Sequence, residues 1–412
     1  MGEIDFKGLQ FLFKKSASPV AYCALSIRSG TRREDQTFGG IAHLTEHMIF
    51  KGTEYKSASS INSYIEKLGG ELNAFTTKEE IVIHSTVLKE DLARAIGLLV
   101  ELAFCPKFSP KELEKEKAVV LDEIITYKDS PADQIFDDFE ELLFEGTNLS
   151  MPVLGKTRTL KKIGVQELHD YVNTHFTLGN MAFTVVADAK EEKVRELLRK
   201  ALLKYAPEAM ESPLATSSEF KIPPRMGEIA PFNKVVNRKG HQTHCVIGAR
   251  AYPYYEKKRI ALILLINILG GPAANSRLNT ILREKNALVY NVDATYGQYS
   301  DTGIVSIYFG CDKQYYEKCV RLVDGELEKF RSAPMSDRAL KSAKKQLLGQ
   351  LAISSDNSEA QCLSMGKSLL VFREVIGTGK MREMIEAVTA NEVQEVANEI
   401  FAPEKLCRLT YM

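Results

Sequence analysis

Apolar and polar positions alternate with two different periods along the chain, one typical of strands and one typical of helices, and the two follow each other in the same order twice. Residues 71–88 (ELNAFTTKEEIVIHSTVL) have a strand-like pattern, and residues 89–104 carry apolar side chains at spacings of three and four. Residues 290–310 (YNVDATYGQYSDTGIVSIYFG) and 312–330 repeat this order. The pattern predicts two strand pairs, each followed by an amphipathic helix.

A second pair of helical segments strengthens the internal repeat. Residues 108–124 (FSPKELEKEKAVVLDEI) correspond to residues 335–351 (MSDRALKSAKKQLLGQL), and each segment opens with a serine at the N-cap position, Ser109 and Ser336. Because hairpin-like strand pairs precede both runs of helices, we expect an α+β fold with two similar domains. Each domain would have a mainly antiparallel sheet with helices packed on one face.

A polar stretch rich in Pro, Ser and Gly divides the chain near its midpoint. Residues 207–240 read as a linker that leads into the second half. A length of 412 residues also favours two domains over one undivided core. We therefore expect a first domain at 1–206 and a related second domain at 241–412.

Composition excludes several classes of protein. The 54 basic and 54 acidic residues give a formal net charge of zero, which argues against a nucleic-acid-binding surface. No apolar run is long enough to span a bilayer, and the first residues lack the order of a signal peptide. We expect a cytoplasmic protein that binds neither nucleic acid nor membrane. The seven cysteines are scattered and predict neither a disulfide framework nor a thiolate metal site.

The chemistry of the chain concentrates in GGIAHLTEHMIFKGT, where His43, Glu46 and His47 form an inverted H-x-x-E-H motif. Residues four apart on a helix face the same side, so both imidazoles can bind one metal ion. Glu46 lies beside them and can accept a proton from water. Such triplets also occur on solvated helix surfaces, but residues 40–50 are otherwise apolar apart from one Thr.

Two histidines do not complete a catalytic zinc site, which needs three protein ligands and an open position. Glu116 and Glu123 lie two turns apart on one face of the predicted helix 108–124. One of them would bind the metal, and the other would accept a hydrogen bond from a ligand histidine. The residues alone do not rank the two.

The segments AHLTEHMIFKGT, LNAFTTKE and EKEKAVVLDEI together resemble the M16 (insulinase or pitrilysin-type) family of zinc metallopeptidases, in its mitochondrial-processing-peptidase-like branch. The resemblance implies that the third ligand is Glu123, which lies 76 residues after His47 (123 − 47). It also implies that Glu116 supports the metal-binding histidines. One Zn²⁺ per chain, bound in the first domain only, follows from the same resemblance.

The second half carries its own similarity to the family in SRLNTILREKNALVYNV. The resemblance implies that Arg283 and Tyr290 reach the substrate at the zinc site. From burial tendencies alone, Arg283 would be a charge on a helix surface and Tyr290 a core aromatic of a strand. The acidic ligand is not repeated, because aligning Ser109 with Ser336 places Gln350 opposite Glu123.

The resemblance also places residues 73–76 on an edge strand that borders the active site. An exposed edge can pair with an extended peptide by strand addition, so we expect the substrate to bind here. The substrate-binding residues would be Asn73, Ala74, Phe75 and Thr76. The alternative is an ordinary turn that enters a strand.

The sequence therefore predicts a zinc-dependent metallopeptidase that cleaves peptide bonds in small or unfolded polypeptides. Zinc-activated water would attack the carbonyl, Glu46 would be the general base, and Arg283 and Tyr290 would stabilise the oxyanion. The resemblance implies a homodimer, or else a heterodimer with a zinc-less relative. Two alternatives remain open, a non-catalytic assembly subunit of the same fold and a zinc-stabilised binding protein.

Overall fold

The computed structural model describes residues 6–211, 224–227, 229–238 and 240–412. The strands are β1 Gln10–Lys15, β2 Val20–Ile27, β3 Glu71–Thr76, β4 Ile81–Leu88, β5 Met181–Ala187, β6 Asn233–Val236, β7 Gln242–Ala251, β8 Val289–Gln298, β9 Gly303–Asp312 and β10 Cys407–Tyr411. The α-helices are α1 Ile41–Ile49, α2 Ala58–Glu66, α3 Leu92–Phe104, α4 Pro110–Lys128, α5 Pro131–Leu143, α6 Thr157–Leu160, α7 Val165–His175, α8 Glu191–Tyr205, α9 Pro207–Glu211, α10 Arg259–Gly270, α11 Tyr316–Ser332, α12 Asp337–Ser354, α13 Ser358–Phe372, α14 Thr378–Ala387 and α15 Ala390–Ile400.

The strands form two five-stranded sheets with the same connectivity. The orders are β1-β5-β2-β4-β3 and β6-β10-β7-β9-β8, which become identical when the first five strands are matched in turn with the last five. In each sheet one outer pair is parallel and the other three pairs are antiparallel. The α+β class, the mainly antiparallel sheets and the two similar domains are therefore confirmed.

The alternation of side chains in the central strands explains how each sheet buries a core. In β2, Cys23, Leu25 and Ile27 join the large core of the first sheet, whereas Ala24 faces the opposite side. Helices α3 and α8 close over that large core, where their apolar stripes pack against each other and on the sheet. In the second sheet, α11 and α15 contribute to the corresponding core.

The chain divides into two compact units that are not continuous in sequence. Among the described residues, the first unit comprises 6–126, 146–211 and 354–375, and the second comprises 127–145, 224–227, 229–238, 240–353 and 376–412. The predicted domains are continuous halves, so they differ from these units by the two segments that contain α5 and α13. Each of these helices packs on a sheet built by the other half of the sequence.

Helix α13 covers the second face of the first sheet, so helices lie on both faces and not on one alone. Cys362 and Met365 pack against Ala24 and the neighbouring apolar side chains of that face. Thr184 of β5 donates a hydrogen bond to the carbonyl oxygen of Cys362 at 2.9 Å. In the second unit, α5 contacts β7 and β10 in the equivalent way.

The predicted linker 207–240 is partly structured. Its first residues form helix α9, and Asn233–Val236 form β6, which pairs with β10 in the second sheet. Residues 212–223, 228 and 239 of this stretch lie outside the described residues. Among the described helices, none is both long enough and apolar enough to cross a bilayer.

Candidate metal centre

Helix α1 presents the H-x-x-E-H motif along one partly exposed line. Its other side chains, among them Leu44 and Met48, are buried in the first core and fix the rotation of the helix about its axis. His43 and His47 therefore lie side by side, with 4.7 Å between their ring centroids. Their side chains are 13% and 19% exposed, so both rings border solvent without being free in it.

Helix α4 brings its two carboxylates to these imidazoles. Glu123 Oε2 lies 3.9 Å from His43 Nε2, and Glu123 Oε1 lies 3.8 Å from His47 Nε2. The Glu116 side chain is instead on the other edge of the His47 ring, with Oε2 3.1 Å from Nδ1. The helix stays in this position because Leu113, Val120 and Ile124 are buried in the first core. This geometry distinguishes the two acidic residues, which the sequence alone does not.

The contact with Glu116 determines which nitrogen of His47 carries a proton. A carboxylate only accepts hydrogen bonds, so His47 Nδ1 is the donor in this contact, and Nε2, which faces Glu123, is the nitrogen left to bind a metal ion. Lys51 compensates the charge of the buried Glu116, since its Nζ lies 2.7 Å from Oε1. Lys51 was not among the site residues predicted from the sequence. Its position one turn after His47 was the available signal.

Three side chains converge as a zinc site requires. One ligand atom each from His43, His47 and Glu123 lies within 4.8 Å of the others, and no second such group occurs among the described residues. Tetrahedral zinc with ligand distances of about 2.0–2.1 Å would separate these atoms by about 3.3 Å. The two His–Glu123 spacings, each to a different carboxylate oxygen, exceed that value by about half an ångström, and no pair of ligand atoms in the group is more than 4.8 Å apart. Rotation of the side chains would bring the three atoms to zinc distance. Two imidazoles and one carboxylate fit a catalytic zinc ion.

The environment of His43 favours metal binding over protonation. Burial, together with the neighbouring His47, lowers the pKa of this imidazole to about 4. Its Nδ1 atom is buried and has no hydrogen-bond partner among the described residues. At neutral pH the ring is therefore uncharged, and an uncharged imidazole has the lone pair that a metal ion needs.

Glu46 lies beside the ligand group and is held by the edge strand. The hydroxyl of Thr76, the last residue of β3, donates a hydrogen bond to Glu46 Oε2 at 2.6 Å. Burial raises the pKa of the Glu46 carboxyl, and the hydrogen bond from Thr76 opposes that rise. The result is a carboxylate of increased basicity with a fixed orientation, as proton transfer requires.

Strand β3 is an outer strand of the first sheet in the described structure. It pairs with β4 on one side, with Asn73 opposite His84 and Phe75 opposite Val82. Because side chains alternate, Ala74 joins the core beneath α1, whereas Phe75 packs on the face covered by α13. The strand itself contacts α1, so an unpaired edge runs beside the helix that carries the histidines.

Arg283 and Tyr290 lie in the second unit on irregular backbone. Arg283 is exposed on a π-helix over Asn279–Glu284, and Tyr290 occupies a β-bulge where the pairing of β8 with β9 shifts by one residue. The Tyr290 ring is 53% exposed, so it is not the core aromatic that burial tendencies alone suggest. Its hydroxyl donates to Asp312 Oδ1 at 3.0 Å. π-Helical turns and bulges both occur frequently at functional sites.

Comparison with known proteins covers both halves of the chain. The model of the insulinase family (peptidase family M16) matches residues 11–157, and the model of the M16 inactive domain matches residues 162–347. An uncharacterized zinc protease of Bacillus subtilis is 27% identical over 379 residues, which is 92% of this chain and 90% of the relative. One from Streptomyces coelicolor is 28% identical over 371 residues, or 90% of this chain and 80% of the relative.

Solved structures show the same fold over nearly the whole chain. A protease from Helicobacter pylori superposes with a TM-score of 0.86 at 19% identity, covering 98% of this chain and 97% of that one. A protein from Pseudomonas fluorescens described as a peptidase M16 inactive domain gives a TM-score of 0.87 at 18% identity, covering 98% and 96%. Since the two family models together span most of the sequence, the chain belongs to peptidase family M16.

Proposed function

We propose that the protein is a zinc-dependent peptidase whose metal centre lies in the first unit. The observation that carries this proposal is the convergence of His43, His47 and Glu123 beside the partly buried carboxyl group of Glu46. The names of the relatives from Bacillus subtilis and Streptomyces coelicolor support it, because both are called zinc proteases.

Each side chain of the centre has a distinct task in this proposal. His43 and His47 would bind zinc through Nε2, and Glu123 would bind it through one carboxylate oxygen. Glu116 would accept a hydrogen bond from Nδ1–H of His47, which orients that ring and strengthens it as a ligand. Three protein ligands leave one coordination position for water or substrate.

Zinc, when bound, supplies Lewis acidity that polarises a carbonyl group and makes water more acidic near neutral pH. Glu46 then accepts the proton of the attacking water at its carboxylate and later returns it to the departing amine. Its hydrogen bond with Thr76 keeps the carboxylate aimed while the proton moves. Arg283 and Tyr290 would donate hydrogen bonds to the carbonyl oxygen as that atom gains negative charge.

The proposed substrate is an extended segment of a small or unfolded polypeptide. Such a segment can add to β3 through backbone hydrogen bonds, with Asn73 to Thr76 as the strand that receives it. A folded protein does not offer a free strand of this kind, so it should be a poor substrate. We also propose that the enzyme acts as a homodimer, with a zinc-less relative as the alternative partner.

Replacement of Glu46 by Gln tests the mechanism directly. With zinc-loaded protein and a quenched, unstructured peptide, we expect Glu46→Gln to lose about 10²–10⁴-fold in kcat/KM. Its zinc content should stay that of the wild type. The exposed Glu54 is the matched control, because Glu54→Gln makes the same chemical change away from the centre. Unchanged cleavage in Glu46→Gln would remove this residue from the mechanism.

The rival function, a non-catalytic assembly subunit, makes a different prediction for the wild type. That reading expects no peptide cleavage above the level seen with a chelator, even in protein that holds stoichiometric zinc. Intact ligands and an oriented base are the observations that favour the peptidase.

A further inference from the structure

Glu34 has a buried carboxyl group that holds the start of the helix bearing the histidines. It precedes α1 by several residues, and it is only 2% exposed. Its two oxygens each accept one backbone N–H from the first turn, Oε2 from Gly40 and Oε1 from Ala42, both at 2.8 Å. Two of the four N–H groups that a helix start leaves unpaired are therefore satisfied by a single side chain.

Helix α1 needs this remote partner because its own N-cap has no side chain. Gly40 adopts a left-handed conformation with φ 95°, and a Cβ atom there would lie 2.9 Å from the Cα of Gly155. Ser, Thr, Asp or Asn, which normally cap a helix, are excluded at this position by that close approach. The cap must come from another part of the chain, and Glu34 provides it.

The segment around Glu34 is itself fixed to the hairpin that carries the edge strand. Thr31 N donates to Thr77 O at 3.3 Å, and Arg32 N donates to Lys78 O at 2.8 Å. The Nδ2 atom of Asn148 donates to the carbonyl oxygens of both Arg32 and Glu34, each at 3.1 Å. Glu34 therefore connects the β3–β4 turn to the start of α1, and the position of the turn constrains the position of the helix.

A second contact fixes the segment just before α1 through one of its carbonyl groups. Thr159 at the end of the α6 region donates from Oγ1 to the carbonyl oxygen of Gly39 at 2.6 Å. The backbone just before α1 is thus bound at both its N–H and its C=O groups. His43 is the third residue of α1, so a shift of the first turn of the helix also shifts the Nε2 atom of His43.

We infer that Glu34 is a positioning residue that sets the axial placement of α1 and so brings the His43 imidazole into register with His47 and Glu123. The inference rests on the proposed metal centre. It adds a residue that binds neither metal nor substrate and acts through the backbone of the ligand helix.

Zinc affinity, measured by competition with a chromophoric chelator, tests the inference without relying on activity. Glu34→Gln keeps the volume and one acceptor oxygen, but it places an NH₂ group against a backbone N–H. We expect its zinc dissociation constant to rise about tenfold or more, as for other groups that orient metal ligands. The visible absorption of the Co²⁺-substituted variant should also change, because the ligand geometry changes.

Glu101→Gln is the matched control for a loss of stability alone. Glu101 is fully buried in the same unit, where it accepts from Thr53 Oγ1 at 2.6 Å and pairs with Lys56. Its variant should unfold at a lower temperature and still bind zinc and Co²⁺ as the wild type does. A Glu34→Gln variant with wild-type zinc affinity and Co²⁺ spectrum would overturn the inference.

Two further measurements keep the outcome decisive. Glu123→Gln should lose most of its zinc affinity. If it keeps wild-type affinity, the proposed metal centre itself is wrong, and not only the role assigned to Glu34. If Glu34→Gln does not fold, amide hydrogen exchange in the wild type replaces it. The Gly40 and Ala42 amides should then exchange slowly in zinc-free protein. Exchange at the rate of free amides would show that their hydrogen bonds to Glu34 do not hold the start of α1.

Discussion

Thr76 and Glu46 form the contact that links the edge strand to the proposed base, with 2.6 Å between Oγ1 and Oε2. The residue that ends β3 therefore determines the orientation of a carboxylate on α1. This hydrogen bond would connect substrate binding with proton transfer, because the strand that would receive the peptide also holds the proposed base.

Removal of the Thr76 hydroxyl should reduce catalysis while zinc remains bound. A hydrogen bond to a charged group contributes about 1.5–3 kcal/mol, so Thr76→Val should lower kcat by about 10–100-fold. Thr76→Ser keeps the hydroxyl and should retain most of the activity. Steady-state kinetics with metal analysis of each variant checks this. Equal kcat values for Val and Ser would show that the bond has no catalytic role.

The two acidic residues of α4 should differ in their effect on metal content. Glu123→Gln removes a proposed ligand, whereas Glu116→Gln removes only the negative charge of the group that accepts the hydrogen bond from His47 Nδ1. We expect the first variant to be purified with little zinc and the second to bind zinc about 10–100-fold more weakly than the wild type. Metal analysis after dialysis against a weak chelator measures both. The opposite order would mean that the two roles are reversed.

Buried Glu34 should make the zinc-free protein less stable as the pH rises. Burial raises the pKa of its carboxyl to about 8, above the value of the unfolded chain. A carboxyl group whose pKa is raised by folding contributes stability below the unfolded pKa and loses it as the pH rises through the folded pKa. Between pH 5 and pH 8, the unfolding midpoint should therefore fall more steeply in the wild type than in Glu34→Gln. Parallel curves for the two proteins would contradict this assignment.

Two helical glycines should respond in opposite directions to replacement by Ala. A Cβ atom on Gly366 of α13 would overlap Ser26 Oγ of β2, whereas a Cβ atom on Gly349 of α12 would meet nothing within 4 Å. Gly366→Ala should destabilise the protein by about 1–3 kcal/mol through overpacking. Gly349→Ala should be neutral or stabilise it by up to about 1 kcal/mol, because Ala favours helix more than Gly does. Thermal unfolding of the two variants side by side tests the close packing of α13 on its sheet.

Local patterns were sufficient to predict the repeated unit and the motif helix. The alternation in residues 71–88 gave the β3–β4 hairpin, and the spacing of His43 and His47 gave one face of α1. These features depend on residues that are close in sequence. For Glu116 and Glu123, spacing alone could not say which one faces Nε2, since both lie on the same side of α4 and only the packing of two helices separates them.

The features that the sequence could not predict depend on contacts between distant segments. Helix α13 has apolar residues spread around its circumference, so its pattern does not reveal which sheet it covers. Glu34 lies in an irregular segment, and a capping rule looks for a side chain at the N-cap, where this chain has Gly40. The missing cap at the start of α1 was the only signal that another residue performs this function.

The placement of α13 also affects how the chain matures on the ribosome. The last strand of the first sheet ends at Ala187, and α13 begins at Ser358, so 170 residues (358 − 187 − 1) lie between them. At about 5–20 residues per second, synthesis of that interval takes about 10–30 s. All five strands of the first sheet have by then been synthesised, whereas the helix that covers Ala24, Val82 and Val186 has not. One apolar face of that sheet therefore lacks its cover until α13 has been made.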